Sequence, residues 1–396
     1  MSAAAIGGAS AGTPALLVST ATQWYGAARM SRCLAKAGFT VSLLTPRNSP
    51  AEKSRFISHF GYLPDSATPI DWVHAFAAMV ETTSPHIVLP CDDTALRLMQ
   101  TLVLAPPQDL PSAQHLQLAA LIATSLGTPA HYRASIDKTL ISPLAESLGI
   151  RVPPYIVTSD LGEVQSFVLR HGYPLVLKRR YSSAGQGVAV CNSHAEVTRE
   201  FATLSQPDRI ELDDTPDNAV LAQAYVPGRT HYHNSVAWQG QLLAGVGAAQ
   251  MASTLRGPAS AVHYFHSPEL RHISATLATG LGLSGIYVPE FIVHETTGDA
   301  YLIEVNRRMT QGTHRSAVFG LDLGAALYAA VNDLPQTTRA DLDPGEEHFV
   351  AHFPLEWMRD SDSPYLREYP VDVPWDEPEL MRALISRARE SFRSAS

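Results

Sequence analysis

Apolar positions alternate between short buried runs and helical spacing along the first third of the chain. Ala15-Leu16-Leu17-Val18-Ser19 predicts a strand, Gly26 to Ala37 a helix stopped at Gly38, and Phe39 to Leu44 a second strand. A helix from Asp71 to Thr82 then leads into the run His86-Ile87-Val88-Leu89-Pro90. Strand–helix–strand in this order predicts a parallel α/β sheet. Asp92, Asp93 and Thr94 fall just past the carboxyl end of the last strand, where such sheets place ligand groups. Asp92 or Asp93 can equally cap the helix through Met99, and the two roles can coexist. The segment after the first strand, Thr20 to Gly26, carries no GxGxxG, so a dinucleotide fingerprint is absent.

The pattern then breaks from Ala105-Pro106-Pro107 to Pro111, and a helical stretch ends at Gly127-Thr128-Pro129. Asp137-Lys138 opens an amphipathic helix ending at Leu148-Gly149, and Val152 to Val157 enters a new domain. A helix from Leu161 to His171 precedes a hairpin from Pro174 to Val190 with a glycine-rich connection. Gln206 to Asn218 is polar and acidic, a loop. Val220 to Val226, Asn234 to Trp238 and Gln241 to Val246 predict strands of a further sheet, and Thr254 to Val262 a mobile loop. A helix from Pro268 to Leu281 precedes a hairpin over Pro289 to Arg308, turning at Glu295 to Asp299. Gly324 to Val331 closes the core as a helix. The rest, from Leu334, is rich in proline and charge and ends in a helix from Pro378 to Phe392.

Composition narrows the classes. The 396 residues are 45% hydrophobic and 17% charged, ordinary for a globular protein of two or three domains. A net charge of −9 argues against a nucleic-acid partner. The three cysteines, Cys33, Cys91 and Cys191, are far apart and odd in number, which points to a reducing, cytoplasmic setting. Met1 to Gly12 lacks a basic and apolar leader and reads as a frayed tail, and no apolar run is long enough to span a membrane.

Three stretches carry chemistry. On the Pro289–Arg308 hairpin, Glu304 and Asn306 share a strand face, and cross-strand pairing can bring Glu290 to it. These hard oxygen donors suit Mg²⁺ held jointly with nucleotide phosphates. Upstream, Lys178 ends a strand and feeds the small-residue loop Ser182-Ser183-Ala184-Gly185-Gln186-Gly187. Small residues let backbone amides converge on phosphate, and the lysine adds a point charge. There is no GK[ST] and no following helix, so this is not a Walker loop. Between the two lies Gln223-Ala224-Tyr225-Val226-Pro227-Gly228, an extended segment ending in a turn. His231 and His233 share a strand face, with sheet residues, ligand contact and a metal pair as open readings.

These features, in this order, resemble the ATP-grasp superfamily over roughly Arg133 to Val331, and most closely its carboxylate–amine ligase and carbamoyl-phosphate-synthetase-like branch. The Glu-x-Asn-x-Arg run at Glu304 is the most specific element. The resemblance implies an N-terminal α/β parallel-sheet domain (13–128) and an α+β ATP-grasp domain of two subdomains (129–335, lid about 151–220), with a C-terminal extension (336–396). It implies ATP contacts from Lys138, Lys178, Ser182, Ser183, Gly185 and Gly187, with Gln223, Ala224, Tyr225 and Val226 facing the adenine. Glu290, Glu304 and Asn306 would bind Mg²⁺, with Mn²⁺ as an alternative, and Arg308 and Lys178 would be catalytic. Arg256, His314, Arg315 and Asp92 are candidate substrate contacts, and the Tyr365-to-Pro378 segment is expected to pack on the core. Ala224 replaces a common glutamate, Thr230 and His231 stand where an acid is usual, and Arg307 stands where proline is commonest. The implied activity joins a small-molecule carboxylate to an amine, amino acids among them, through an acyl phosphate. Bicarbonate carboxylation and a silent ATP-binding regulator are the alternatives. A homodimer is among the assemblies the resemblance implies.

Overall fold

The computed structural model of the chain describes residues 12–21, 25–107, 109–181, 187–206, 218–254 and 257–395. The first layer is β1 (Thr13–Val18), α1 (Tyr25–Ala37), β2 (Phe39–Pro46), β3 (Ile57–Leu63), α2 (Pro69–Thr83), β4 (Ile87–Pro90), α3 (Asp93–Leu104) and α4 (Ser112–Leu126). The four strands form a parallel sheet in the order β3-β2-β1-β4. Both faces are covered, which is why β1 reads as an unbroken apolar run. Ala15 and Leu17 enter one core cluster and Leu16 and Val18 another. Strand β3 was not visible in the hydrophobic pattern. Its middle residues are exposed or half-buried, as suits a sheet edge.

Next come α5 (Lys138–Ser147), β5 (Tyr155–Thr158), α6 (Leu161–His171), β6 (Leu175–Arg179), β7 (Val188–Cys191), α7 (His194–Leu204) and β8 (Val220–Ala224). Their strands make an antiparallel sheet, β5-β8-β6-β7. Val164, Phe167, Val197 and Phe201, from α6 and α7, fill one core with Leu175, Leu177 and Val220. The segment expected to lie in a sheet with Asn234–Trp238 therefore pairs elsewhere, between β5 and β6. Alternation shows a strand but not its partner.

The third layer is β9 (Gly228–Trp238), β10 (Gln241–Ser253), β11 (Ala259–Phe265), α8 (Pro268–Leu281), β12 (Gly285–His294), β13 (Ala300–Asn306), α9 (Leu323–Val331), β14 (Glu347–Ala351), α10 (Leu355–Arg359), α11 (Tyr365–Glu368) and α12 (Pro378–Ala395). The strands form a six-stranded sheet, β13-β12-β9-β10-β11-β14. One expectation is corrected here: from Ala259 onward the expected loop Thr254 to Val262 is strand. The segment expected as an extension supplies β14, antiparallel to β11. One face of this sheet packs on α5 and α8. The other shares a core with α1, α9 and the first sheet, joining Val246 and Tyr264 to Leu17 and Leu34. That shared core sets the end of β4 beside the end of β13. Among the described residues no helix is long and apolar enough to cross a membrane.

Candidate active site

The β12–β13 hairpin closes as its residues predict. His294 donates its backbone amide to Asp299 across the turn, and Gly298 takes the left-handed φ of 76°. In register, Glu290 lies directly opposite Glu304, and Asn306 Nδ2 donates to Glu290 Oε1 at 2.8 Å. Two carboxylates facing each other oppose the strand pairing unless a cation offsets them. Burial, and then the Glu304 charge, push the Glu290 carboxyl up. Lys138 Nζ donates to Glu304 Oε1 at 2.5 Å. The set fits a hard divalent ion. Among the described residues no three His, Cys, Asp or Glu side chains cluster as a metal site. Two carboxylates and an amide would thus leave positions for phosphate or water oxygens.

The lysines are held by buried contacts. Asp137 caps α5, accepting from Thr139, and its other oxygen accepts from Arg180 Nε at 2.5 Å. The Lys138 amide donates to Arg180 O at 3.0 Å, which fixes the start of the helix. Lys178 Nζ reaches Ile303 O at 3.3 Å, one residue from Glu304. Burial, and then the neighbouring Lys138, push its ammonium down to about 8. Gly187 closes the β6–β7 hairpin through Arg179 at 2.7 Å, and Val188 beside it lines the site. Ser182, Ser183 and Gly185, and likewise Arg256, lie outside the described residues. In the expected hinge, Gln223 turns inward to Ser142 at 3.3 Å, and the Ala224 amide is taken by Pro154 O at 2.8 Å. Tyr225 is exposed and Val226 half-buried.

A cavity of about 250 Å³ begins at Lys138, Glu290, Glu304 and Asn306 and continues past Arg308 to Tyr264, Gly312 and His352. Arg308 is buried and bonds Asp93 at both ends, Nε–Oδ1 2.6 Å and Nη2–Oδ2 2.8 Å. Asp92 is not in the cavity wall. It accepts from Ser19, Thr20 and the Ala95 amide, so its oxygens cap α3 and tie it to β1. Neither His314 nor Arg315 is in the cavity wall. His314 Nε2 meets Asp372 Oδ2 at 2.8 Å, and Arg315 is buried in the same turn.

Apart from Thr230, which stands where an acid is usual, the other wall residues were not singled out in the sequence. Thr230, Tyr232 and Asn234 line the cavity from β9, and Gln250 from β10. Tyr232 donates to Gln250 Oε1 at 2.5 Å, and Thr310 to Asn234 Oδ1 at 3.3 Å. The face that carries His231 and His233 is the opposite one. His233 is fully buried against Ser235 at 2.6 Å, and His231 packs edge-on to Phe265. Period-two alternation put His231 and His233 together but could not say which face meets the cavity. Arg307, in the unusual position, is buried, donates to Leu126 O and lies 5.4 Å over the Tyr132 ring. It joins the hairpin to the first layer.

No protein-family model matches the chain. A formate-dependent phosphoribosylglycinamide formyltransferase from Paraburkholderia xenovorans is 27% identical over 151 residues, which are 38% of this chain and 32% of that protein. A carbamoyl phosphate synthase arginine-specific large chain from Lactiplantibacillus plantarum is 24% identical over 249 residues, 59% of this chain and 24% of that one. The chain spans a third or less of the length of these curated relatives. Among solved structures, an N5-carboxyaminoimidazole synthetase from Staphylococcus aureus complexed with ADP superposes with a TM-score of 0.60 at 12% identity, covering 85% of this chain and 81% of that one.

Proposed function

From the premise that the chain has the ATP-grasp fold, we propose that it is an ATP-dependent carboxylate–amine ligase. The observation that carries this reading is the facing pair Glu290 and Glu304, which lines one cavity with Lys138 and Arg308, with Lys178 held at Ile303 beside them. Lys138 and Lys178 bind the phosphates of the co-substrate ATP. Glu290, Glu304 and Asn306 would hold Mg²⁺, which when bound offsets phosphate charge. Arg308 offsets charge as a substrate carboxylate oxygen attacks the γ-phosphorus, giving an acyl phosphate and ADP. An amine then attacks the acyl carbon, phosphate leaves, and an amide forms. The neutral polar wall of Tyr232, Asn234 and Gln250 orients the second substrate and, with the β6–β7 hairpin, keeps water from the acyl phosphate.

The test is ADP release by the whole chain with ATP, Mg²⁺ and amino acids offered in pairs, with mass spectrometry of the products. An amide product with stoichiometric ADP supports the reading. ADP release that needs bicarbonate and no amine would turn it into a carboxylase. ATP binding without release on any substrate would leave a nucleotide-binding regulator in its place.

A further inference from the structure

We propose that His352 is the group that takes the proton from the attacking amine. The inference rests on the ligase reading and adds to it the catalytic group of its second half. His352 sits where β14 passes into α10. Its amide donates to Ser260 O at 2.7 Å and its carbonyl accepts from Glu356 N at 2.9 Å, so its backbone is fixed on both sides. The ring is 2% exposed and lines the same cavity as Arg308. Gly312 keeps the way to it open. A methyl there would lie 2.6 Å from the Tyr264 hydroxyl and 3.2 Å from His352 Cε1.

The two ring nitrogens differ. Nδ1 is buried without a hydrogen bond, and the Asp372 Oδ2 lies 3.9 Å from it. Nε2 lies on the Gly312 side, with no hydrogen-bond partner among the described residues. Asp372 is itself held, by His314 at 2.8 Å, by Arg29 at 3.7 Å and by the Phe353 amide. The charged groups facing His352 come from every element around it. Asp372 and Glu356 favour the imidazolium, and Arg315 and Arg29 oppose it. Burial outweighs them all and pushes the ring down, so it is neutral with a free lone pair at neutral pH. His314, its neighbour through Asp372, is likewise held neutral by burial. The other groups of the wall serve less well as a base. Burial pushes the Tyr232 and Tyr264 phenols far up, Asp93 is spent on Arg308, and Glu290 and Glu304 belong to the phosphate end.

The chemistry needs such a group. An amine arrives as an ammonium ion. An ammonium nitrogen has no lone pair, so it first gives one proton to His352 Nε2. The freed lone pair then attacks the acyl carbon, the C–O bond to phosphate breaks with its electron pair leaving on phosphate, and the second proton lost by nitrogen goes to that phosphate. A ring that merely packs would show none of this.

The test compares wild type with His352→Gln and His352→Asn in the whole chain. ATP, Mg²⁺ and an equimolar mixture of the twenty standard amino acids are supplied, with and without hydroxylamine. Hydroxylamine is unprotonated at neutral pH and traps the acyl group as a hydroxamate without help from a base. The expected result is an amine-dependent rate about 10²–10⁴-fold lower relative to the hydroxylamine-dependent rate in the variants. The hydroxylamine-dependent rate of each variant stays near that of wild type, which shows that the variant folds and still makes the acyl group. Equal losses of both rates in the variants would overturn the proposal. If wild type makes neither ADP nor hydroxamate, the ligase reading itself falls and takes this one with it.

Discussion

Glu290 and Glu304 face each other across a strand pair, and one of them is forced toward its protonated form by burial and by the other. A position that weakens the sheet fits the proposed Mg²⁺ site rather than a structural need. Glu290→Gln keeps the oxygen that accepts from Asn306 and removes the repulsion. It should raise stability at pH 8 by up to about 1 kcal/mol in urea unfolding, while ADP release is lost. A variant that is both less stable and active would contradict the assignment. His233 acts on stability alone. Burial pushes it down to about 3. The unfolded chain takes up this proton below roughly pH 6.5 and the folded chain does not. Stability therefore falls as pH drops from about 6.5 toward 3. Urea midpoints at pH 7, 6 and 5 should fall in wild type and fall less in His233→Asn.

Between elements, the bond from Asp93 to Arg308 joins the start of α3 to the end of β13. Arg308 was legible in the Glu-x-Asn-x-Arg spacing; its partner, 215 positions away, was not. The aspartate is partly exposed, so the pair is worth less than a sealed one. Asp93→Asn should lower stability by about 1–2 kcal/mol and, by freeing Arg308, lower the KM for the proposed carboxylate substrate. An unchanged KM would show that Arg308 does not compete between the two anions. The same limit of sequence reading explains β8 and β14. Each has a recognisable or at least permissible strand pattern, but the hydrogen-bond partner depends on which edge the fold leaves open.

Across the whole molecule, Asp372 holds three distant segments together, through Arg29 of α1, His314 after β13 and the turn at Phe353. It is buried, and Arg29 leads the contacts that hold its carboxyl well below the usual range against the opposing pull of burial. A depressed carboxylate contributes stability above about pH 4 and loses it as pH falls. Asp372→Asn should cost roughly 3 kcal/mol at pH 7 in urea, with the difference from wild type narrowing in acid. No narrowing would mean that the loss is one of packing and not of charge.

The oxygen donors of the hairpin, the two lysines and the strand–helix rhythm of the first sheet were all present in local spacing. Each depends on residues a few positions apart, where backbone geometry alone sets which side chains share a face. The face of β9 that meets the cavity, the pairing of Asp93 with Arg308, and the approach of Asp372 to His352 depend on how layers stack. Those contacts arise when buried apolar surfaces dock, and that docking leaves no period or spacing in the chain to be read beforehand.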